Sequence, residues 1–388
     1  MMKYDFNKTI ERRGSNSVKW DATVAFFGEK DVLPMWVADM DFQTPPFVIN
    51  AIQQQLNRAV LGYTFAGEEW YSSIISWLKK RHEWDVEAKS LTFVSGVVRG
   101  QAHALQCFTE ASDKVMVMTP VYHPFFQVTK HLHRQVVFSP LHIENNQIDI
   151  DFNRFENDIK GCKMLILCNP HNPGGRVWTK EELQTIAHIC HKNNVLVISD
   201  EIHADLTLPG YRHLPFTTVS AEAAEIGITL MAPSKTFNMP GVSSSFAIVE
   251  NEQLNRQFQA FMQAGEFDQG NMFAYASTVA AYRQGEEWLE QLLQYIQNNI
   301  DFTEHFLQTE LPAISMIRPQ ASFLIFLNCK KLNLEQPELE KLFLNKARLA
   351  LNSGTTFGQE GEGFMRLNVG CPLDTLQEAL YRLKNALR

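Results

Sequence analysis

The sequence predicts an α/β protein, with a large domain built on a mostly parallel sheet flanked by helices and a smaller α+β domain after it. Three observations carry that expectation. Between about residues 45 and 249, short apolar runs of strand length alternate with segments of helical periodicity, the pattern of strands joined by right-handed helical crossovers. Beyond Asn251 the pattern turns helical to about Thr309, then gives one strand-like run and two further helical stretches. At 388 residues and 45% hydrophobic content the chain is long enough for two or three domains with sizeable cores, which excludes a disordered or fibrous protein.

The elements follow in order. Thr44-Pro45 supplies an N-cap and first-turn pair for a helix over 47–58. Helical spacing recurs over 68–84, 99–111 and 124–133, and strands are expected at 91–94, 114–118, 135–138, 163–168, 195–199, 228–231 and 244–249. In the tail, a strand is expected at 323–328 and helices at 337–346 and 376–387. No internal repeat, low-complexity tract or long linker interrupts the series.

The formal net charge is -8 and no stretch concentrates lysine and arginine, so nucleic acid is not an expected partner. The six cysteines, Cys107, Cys162, Cys168, Cys190, Cys329 and Cys371, show no C-x-x-C spacing, which fits reduced thiols in a cytoplasmic protein. The opening Met1-Met-Lys-Tyr-Asp-Phe-Asn-Lys has no apolar leader core, and no run approaches the roughly 18 apolar residues of a membrane span. A soluble cytoplasmic enzyme is the expectation.

Three segments carry chemistry. Ser234-Lys235-Thr236-Phe237-Asn238 follows the apolar run 228–231 and places a lysine at a strand-to-loop edge. A lysine amine is nucleophilic only when neutral, and partial desolvation lowers its pKa toward that state, suiting Lys235 to a Schiff base with an aldehyde. Taken alone, such a lysine is ordinarily a solvated charge. Upstream, the run 195–199 ends in Asp200, at the kind of strand end where open α/β sheets gather ligands. A carboxylate there serves as an N-cap, as a metal ligand, or as the partner that keeps a pyridine nitrogen protonated. The run 164–168 leads into Asn169-Pro-His-Asn172-Pro-Gly-Gly175, where Asn172 can donate to a phenolate oxygen on the same ring.

Asn172, Asp200 and Lys235, in that order and each after a strand-like run, resemble the cofactor site of the fold-type I pyridoxal-phosphate enzymes, the aspartate aminotransferase superfamily. Leu33-Pro-Met-Trp36-Val-Ala-Asp-Met-Asp-Phe42, Ser95-Gly-Val-Val98, Ser199-Asp-Glu-Ile-His203, Ser234-Lys-Thr-Phe-Asn238 and Arg366-Leu-Asn-Val-Gly-Cys-Pro372 are similar to the cystathionine β-lyase branch of carbon–sulfur lyases, over nearly the whole chain. The resemblance implies pyridoxal 5'-phosphate as cofactor, an amino-acid substrate, and α,β-elimination to a thiol, pyruvate and ammonia. It also implies a cofactor domain over 45–284 and a small domain made of 1–44 with 285–388. An aminotransferase would use the same residues. A reading from a different class is a cofactor-binding regulatory protein that acts through a partner.

The resemblance further assigns roles residue by residue. Gly96, Val97 and Val98 offer main-chain N–H groups to the cofactor phosphate, with Ser234 adding a hydroxyl. Tyr122 stacks on the ring, His203 lies toward its oxygen side, and Tyr63 reaches the neighbouring subunit's phosphate across a homodimer interface. Arg366 grips the substrate carboxylate through a two-pronged charged contact, and Trp36 lines the substrate pocket. The chain departs from the superfamily at Arg99 and Gly100, at Ala232 where relatives carry a serine, and at Ser243 where many aminotransferases place a phosphate-binding arginine.

Overall fold

The computed structural model describes residues 4–388; Met1 to Lys3, part of the amino-terminal stretch read above, lie outside the described residues. Seven strands form the large sheet: β1 (Leu91–Val94), β2 (Lys114–Val117), β3 (Gln135–Phe138), β4 (Cys162–Cys168), β5 (Leu196–Asp200), β6 (Gly227–Met231) and β7 (Ser245–Ile248). Their spatial order is β1-β7-β6-β5-β4-β2-β3, and β7 alone runs against its two neighbours. This is the mostly parallel sheet that the alternating pattern predicts.

The central strands read as unbroken apolar runs because both faces are covered. In β4, Leu165 and Leu167 pack with Trp178 and Ile186, while Met164 and Ile166 pack on the opposite face with Ala104 and Phe258. Gly100 lets the helix Val97–Phe108 approach the sheet closely, since a Cβ there would stand 2.9 Å from a Leu230 methyl. That helix begins two residues earlier than the sequence reading and ends three earlier. Its start is set by Gly96, whose φ of +152° lies in a region that side chains disfavour.

The second sheet is antiparallel, with β8 (Ser315–Ile317), β9 (Leu324–Asn328), β10 (Asn352–Ser353) and β11 (Phe364–Asn368) in the order β8-β9-β11-β10. Only β9 was expected from sequence, because the others are short and paired to distant segments. Leu33–Pro34 pairs in parallel with Leu349–Ala350, so the amino-terminal segment lies against this sheet's neighbourhood. The helical stretch after Asn251 resolves into three helices, Glu252–Ala264, Met272–Gln284 and Glu286–Glu310. The last break falls at Gly285, where a Cβ would meet the Phe237 ring at 2.2 Å. Among the described residues no helix is long and apolar enough to cross a membrane.

Candidate active site

Strands β1, β2, β4, β5 and β6 run the same way, so the loops leaving their carboxyl ends open on one edge of the sheet. A cavity of about 250 Å³ sits there, lined by Ser95, Gly96, Val97, Val98, Arg99, Tyr122, Cys168, Asn172, Asp200, His203, Ala232, Ser234, Lys235 and Ser243, with Ala38 entering from the amino-terminal segment. Asn172, Asp200 and Lys235, far apart in sequence, thus share one cavity.

Asp200 closes β5 and is buried, with Oδ1 accepting from the Ile202 N–H at 3.1 Å. Burial pushes its carboxyl up to about 7, opposed by the Ile202 hydrogen bond and by nearby Lys235. Burial likewise lowers Lys235 to about 8, and its Nζ donates to the Ala38 carbonyl at 2.5 Å. The lysine therefore releases its proton far more readily than an exposed lysine does, although at neutral pH it is still mostly the ammonium. Behind it, Thr236 donates to Asp205 at 3.1 Å, and Asp205 also accepts from Trp77 Nε1 at 3.0 Å and meets His82 Nε2 at 2.9 Å. This buried cluster fixes the lysine's loop against the scaffold.

Arg366, on β11, is buried and donates to Asn172 Oδ1 at 3.1 Å, to the Trp36 carbonyl at 2.8 Å and to Asn352 Oδ1 at 2.8 Å. Among the described residues it has no acidic partner within ion-pair distance, and its buried Nε has no acceptor. Burial brings it down to about 10, still charged at neutral pH. A buried cation without a counter-ion is a receptor waiting for an anion.

Two asparagines explain why three separated motifs belong together. Asn238, three residues after Lys235, donates to the carbonyls of Met40 and Phe42 and accepts from the Met40 N–H. Asn368, two residues after Arg366, donates to the carbonyls of Val37 and Asp39 at 2.7 Å each. The 33–42 segment is thereby clamped between the lysine loop and the arginine strand. Its other side is held by Lys19, fully buried and paired with Asp41 at 2.6 Å.

The remaining expected site residues divide. Gly96, Val97, Val98, Tyr122, His203 and Ser234 line the cavity. His203 is buried, with an unpartnered Nδ1, and burial drops its pKa to about 3, so the ring is neutral. Trp36 meets the site through its carbonyl, while its indole donates to Lys19 O at 3.1 Å and faces an adjoining cavity. Tyr63 lies outside its own chain's cavity and is fully exposed, in a segment without helix or strand. Sequence reasoning missed Ala38, Cys168 and Asn352 as neighbours of the reactive groups, and it noted Arg99 only as a departure. The signal for Arg99 was its place in the first turn after Gly96: a cation there opposes the helix macrodipole unless an anion sits between them.

The sequence profile of the aminotransferase class I and II family matches residues 30–383, and the chain belongs to that family. It is 42% identical over 385 residues to the cystathionine beta-lyase PatB of Bacillus subtilis (strain 168), covering 99% of this chain and 100% of that one. It is also similar to two solved structures. Cystalysin from Treponema denticola, which contains pyridoxal 5'-phosphate, matches with a TM-score of 0.96 and 34% identity over 100% of this chain and 99% of that one. The pyridoxal-phosphate-bound C–S lyase from Staphylococcus hominis matches with a TM-score of 0.92 and 34% identity over 100% and 98%. The fold is the fold-type I arrangement that the sequence motifs implied.

Proposed function

We propose that this protein is a pyridoxal-phosphate-dependent carbon–sulfur β-lyase of the cystathionine β-lyase or cysteine desulfhydrase type, acting on a small amino-acid substrate. The observation that carries the reading is the convergence of Lys235 and Asp200 at neighbouring strand ends with the buried, unpaired Arg366 beside them. The relatives and solved structures named above support it.

The residues fit the cofactor. Its phosphate would be held by the first-turn N–H groups after Gly96, the hydroxyls of Ser95, Ser234 and Ser243, and Arg99, which with Lys235 supplies the cationic side chains of the cavity wall. Arg99 takes the electrostatic part that Ser243 and Ala232 leave open. Asp200 would hold the ring nitrogen and Tyr122 the ring face, while Asn172 and the unpartnered His203 Nδ1 would serve the ring's oxygen. When bound, pyridoxal phosphate supplies an aldehyde carbon to the substrate amine and a ring that takes up the electron pair left by the α-proton.

The chain's own residues do the rest. Arg366 fixes the substrate carboxylate and so sets which Cα substituent faces Lys235. Lys235 Nζ, its pKa lowered to about 8 by burial, acts as the free amine to remove the α-proton and holds it for the leaving sulfur. Asp200 keeps a proton at the ring nitrogen. Breaking Cβ–S sends its electron pair to sulfur, and addition of one water completes pyruvate and ammonia. Lys235→Ala should retain cofactor but release no pyruvate from cystathionine; undiminished release would exclude Lys235 as the base.

The working unit in this reading is a homodimer in which Tyr63 reaches the partner's phosphate. Supporting it are the exposed apolar run Val60, Leu61, Tyr63 and Phe65, up to 108% exposed, on a segment that its own chain leaves uncovered. We assign 45–284 to the cofactor domain and 1–44 with 285–388 to the small domain. A cytoplasmic location is supported by six cysteines that are unpaired among the described residues.

A further inference from the structure

Strand β5 ends in Asp200 and strand β6 leads into Lys235, the two groups assigned to opposite ends of the cofactor's ring. Their ladder runs as far as Asp200 opposite Leu230, with the Glu201 N–H donating to the Leu230 carbonyl at 2.9 Å. Beyond it both chains leave the sheet, one into the short turn Ala204–Leu206 and the other into the one-turn helix Pro233–Thr236. They are tied again by Thr236, whose Oγ1 donates to Asp205 Oδ2 at 3.1 Å.

Thr236 and Asp205 are both buried, and the other oxygen of Asp205 is held from the helix Glu68–His82. Oδ1 accepts from Trp77 Nε1 at 3.0 Å and meets His82 Nε2 at 2.9 Å, while the Asp205 carbonyl accepts from Arg81 at 3.4 Å. Burial works against the charge of Asp205, but His82, Arg81 and Trp77 outweigh it and hold the carboxyl below its ordinary range. An ionised carboxylate only accepts, so His82 Nε2 is a donor and three side-chain donors fix Asp205. The same stretch meets the small sheet. Ser322 N–H donates to the Leu206 carbonyl at 2.8 Å, just ahead of β9, the strand paired with the one that carries Arg366.

We infer that Asp205 is a positioning residue of this site: through Thr236 it sets the distance from Lys235 to Asp200, and with it the rate at which Lys235 links to the cofactor's aldehyde. The inference rests on the cofactor site proposed above. Apart from burial, the charges that act on Lys235 are Asp39, Arg366 and Asp200. Asp205 reaches the lysine through the Thr236 hydroxyl and one peptide, so its influence is positional. The linking step is Lys–NH2 plus R–CHO to Lys–N=CH–R plus water; the nitrogen lone pair forms the new bond, the aldehyde oxygen leaves as water, and no oxidant or reductant is consumed. Displacing a reacting group by about 1 Å costs on the order of a hundredfold in rate. Loss of the Thr236–Asp205 bond frees the lysine's loop but removes no donor from the phosphate side of the cavity, where Gly96, Val97 and Arg99 stand on another strand-to-helix turn.

The test compares Thr236→Val, which keeps the volume and removes the donor, with Thr236→Ser, which keeps the donor, and with Asp205→Ala. Each apo-protein is mixed with pyridoxal 5'-phosphate, reading the appearance of the lysine-linked absorbance band. Each is titrated separately with pyridoxamine 5'-phosphate, whose amine cannot link to lysine. Thr236→Val and Asp205→Ala should form the linked band about tenfold or more slowly than wild type, with pyridoxamine 5'-phosphate bound as tightly as before. Thr236→Ser should restore the rate. The double variant should lose no more than either single one, since one bond carries both effects. In turnover of L-cystathionine by the holoenzyme, the loss should appear in kcat with KM unchanged. Equal losses in linkage rate and in pyridoxamine 5'-phosphate affinity would make the bond a general support of the fold, and an unchanged linkage rate in Thr236→Val would remove Asp205 from positioning; either result overturns the inference. A wild type that links the cofactor but releases no pyruvate rejects the lyase reading alone, and Asp205 is then judged on the two binding measurements. A wild type that forms no linked band overturns both.

Discussion

Arg366 Nη1 donates to Asn172 Oδ1 at 3.1 Å, a bond between a strand of the small sheet and a loop of the large one 194 residues away. Guanidinium only donates, so the bond fixes which end of the Asn172 amide faces the arginine. Nδ2 is left as the donor end of a side chain that lines the cavity. In the proposed reading, the group assigned to the substrate carboxylate and the group assigned to the cofactor's ring oxygen are one hydrogen-bonded unit, and disturbing either should be felt at both.

Arg366→Ala should lower kcat/KM by about 2–5 kcal/mol, the range for removing one partner of a buried charged pair. Arg366→Lys should recover little, because a point charge does not reproduce the planar fork and leaves Asn172, Asn352 and the Trp36 carbonyl short of a donor. Steady-state kinetics of the two variants checks this, and an unchanged KM in both would assign the carboxylate to another group.

Asp200 makes the cofactor-free protein pH-sensitive. Its folded pKa of about 7 lies above the ordinary carboxyl value of 3.8, so between those limits the folded state binds a proton that the unfolded state has released. Stability from this group is full below pH 4 and is lost as pH rises through 7, by up to about 4 kcal/mol. Denaturant midpoints of wild type and Asp200→Asn across pH 4–8 should differ by that slope; parallel curves would mean that the carboxyl titrates normally. Lys235 acts at higher pH with the opposite sign. Its folded pKa of about 8 lies below 10.5, so stability rises with pH across that window.

Arg99→Ala should weaken retention of pyridoxal phosphate about tenfold or more, as expected for losing a charged hydrogen bond to phosphate. Binding of pyridoxal, which lacks the phosphate, should not change. Equilibrium titration of both ligands reads the difference, and an equal loss for both would move Arg99 out of the phosphate site.

Tyr63→Phe mixed with Lys235→Ala subunits should regain roughly a quarter of wild-type activity at equal random reassortment, because a cross-subunit tyrosine places both lesions in one site of the hybrid and leaves the other whole. Tyr63→Phe alone should weaken cofactor retention by about 1–3 kcal/mol. Absence of recovery in the mixture would return Tyr63 to its own subunit.

The strand ends were legible because β4, β5 and β6 are buried on both faces and so leave long apolar runs, each punctuated by the polar residue that matters: Asn172, Asp200 and Lys235. The hairpin of His142–Glu144 and Gln147–Asp149 was missed although its alternating pattern and Asn145-Asn146, both at positive φ, announce a tight turn. What local sequence could not carry is the clamp on residues 33–42. It depends on Asn238 and Asn368, which meet that segment across 198 and 331 residues. The Arg366 strand was legible only as a motif, because its partners in β9 and β10 are likewise set by tertiary pairing. Trp36 shows the same limit: its carbonyl serves the arginine, a role that no side-chain reasoning reveals.

The most direct test of the account is a single turnover on the holoenzyme with a limiting amount of cysteine thioether, following thiol, pyruvate, ammonia and the cofactor spectrum together. Elimination at Lys235 predicts one thiol, one pyruvate and one ammonia per substrate consumed, with the cofactor returned to its lysine-linked form. Substrate consumed without thiol, leaving the cofactor as its amine, would make the protein an aminotransferase and contradict the central claim.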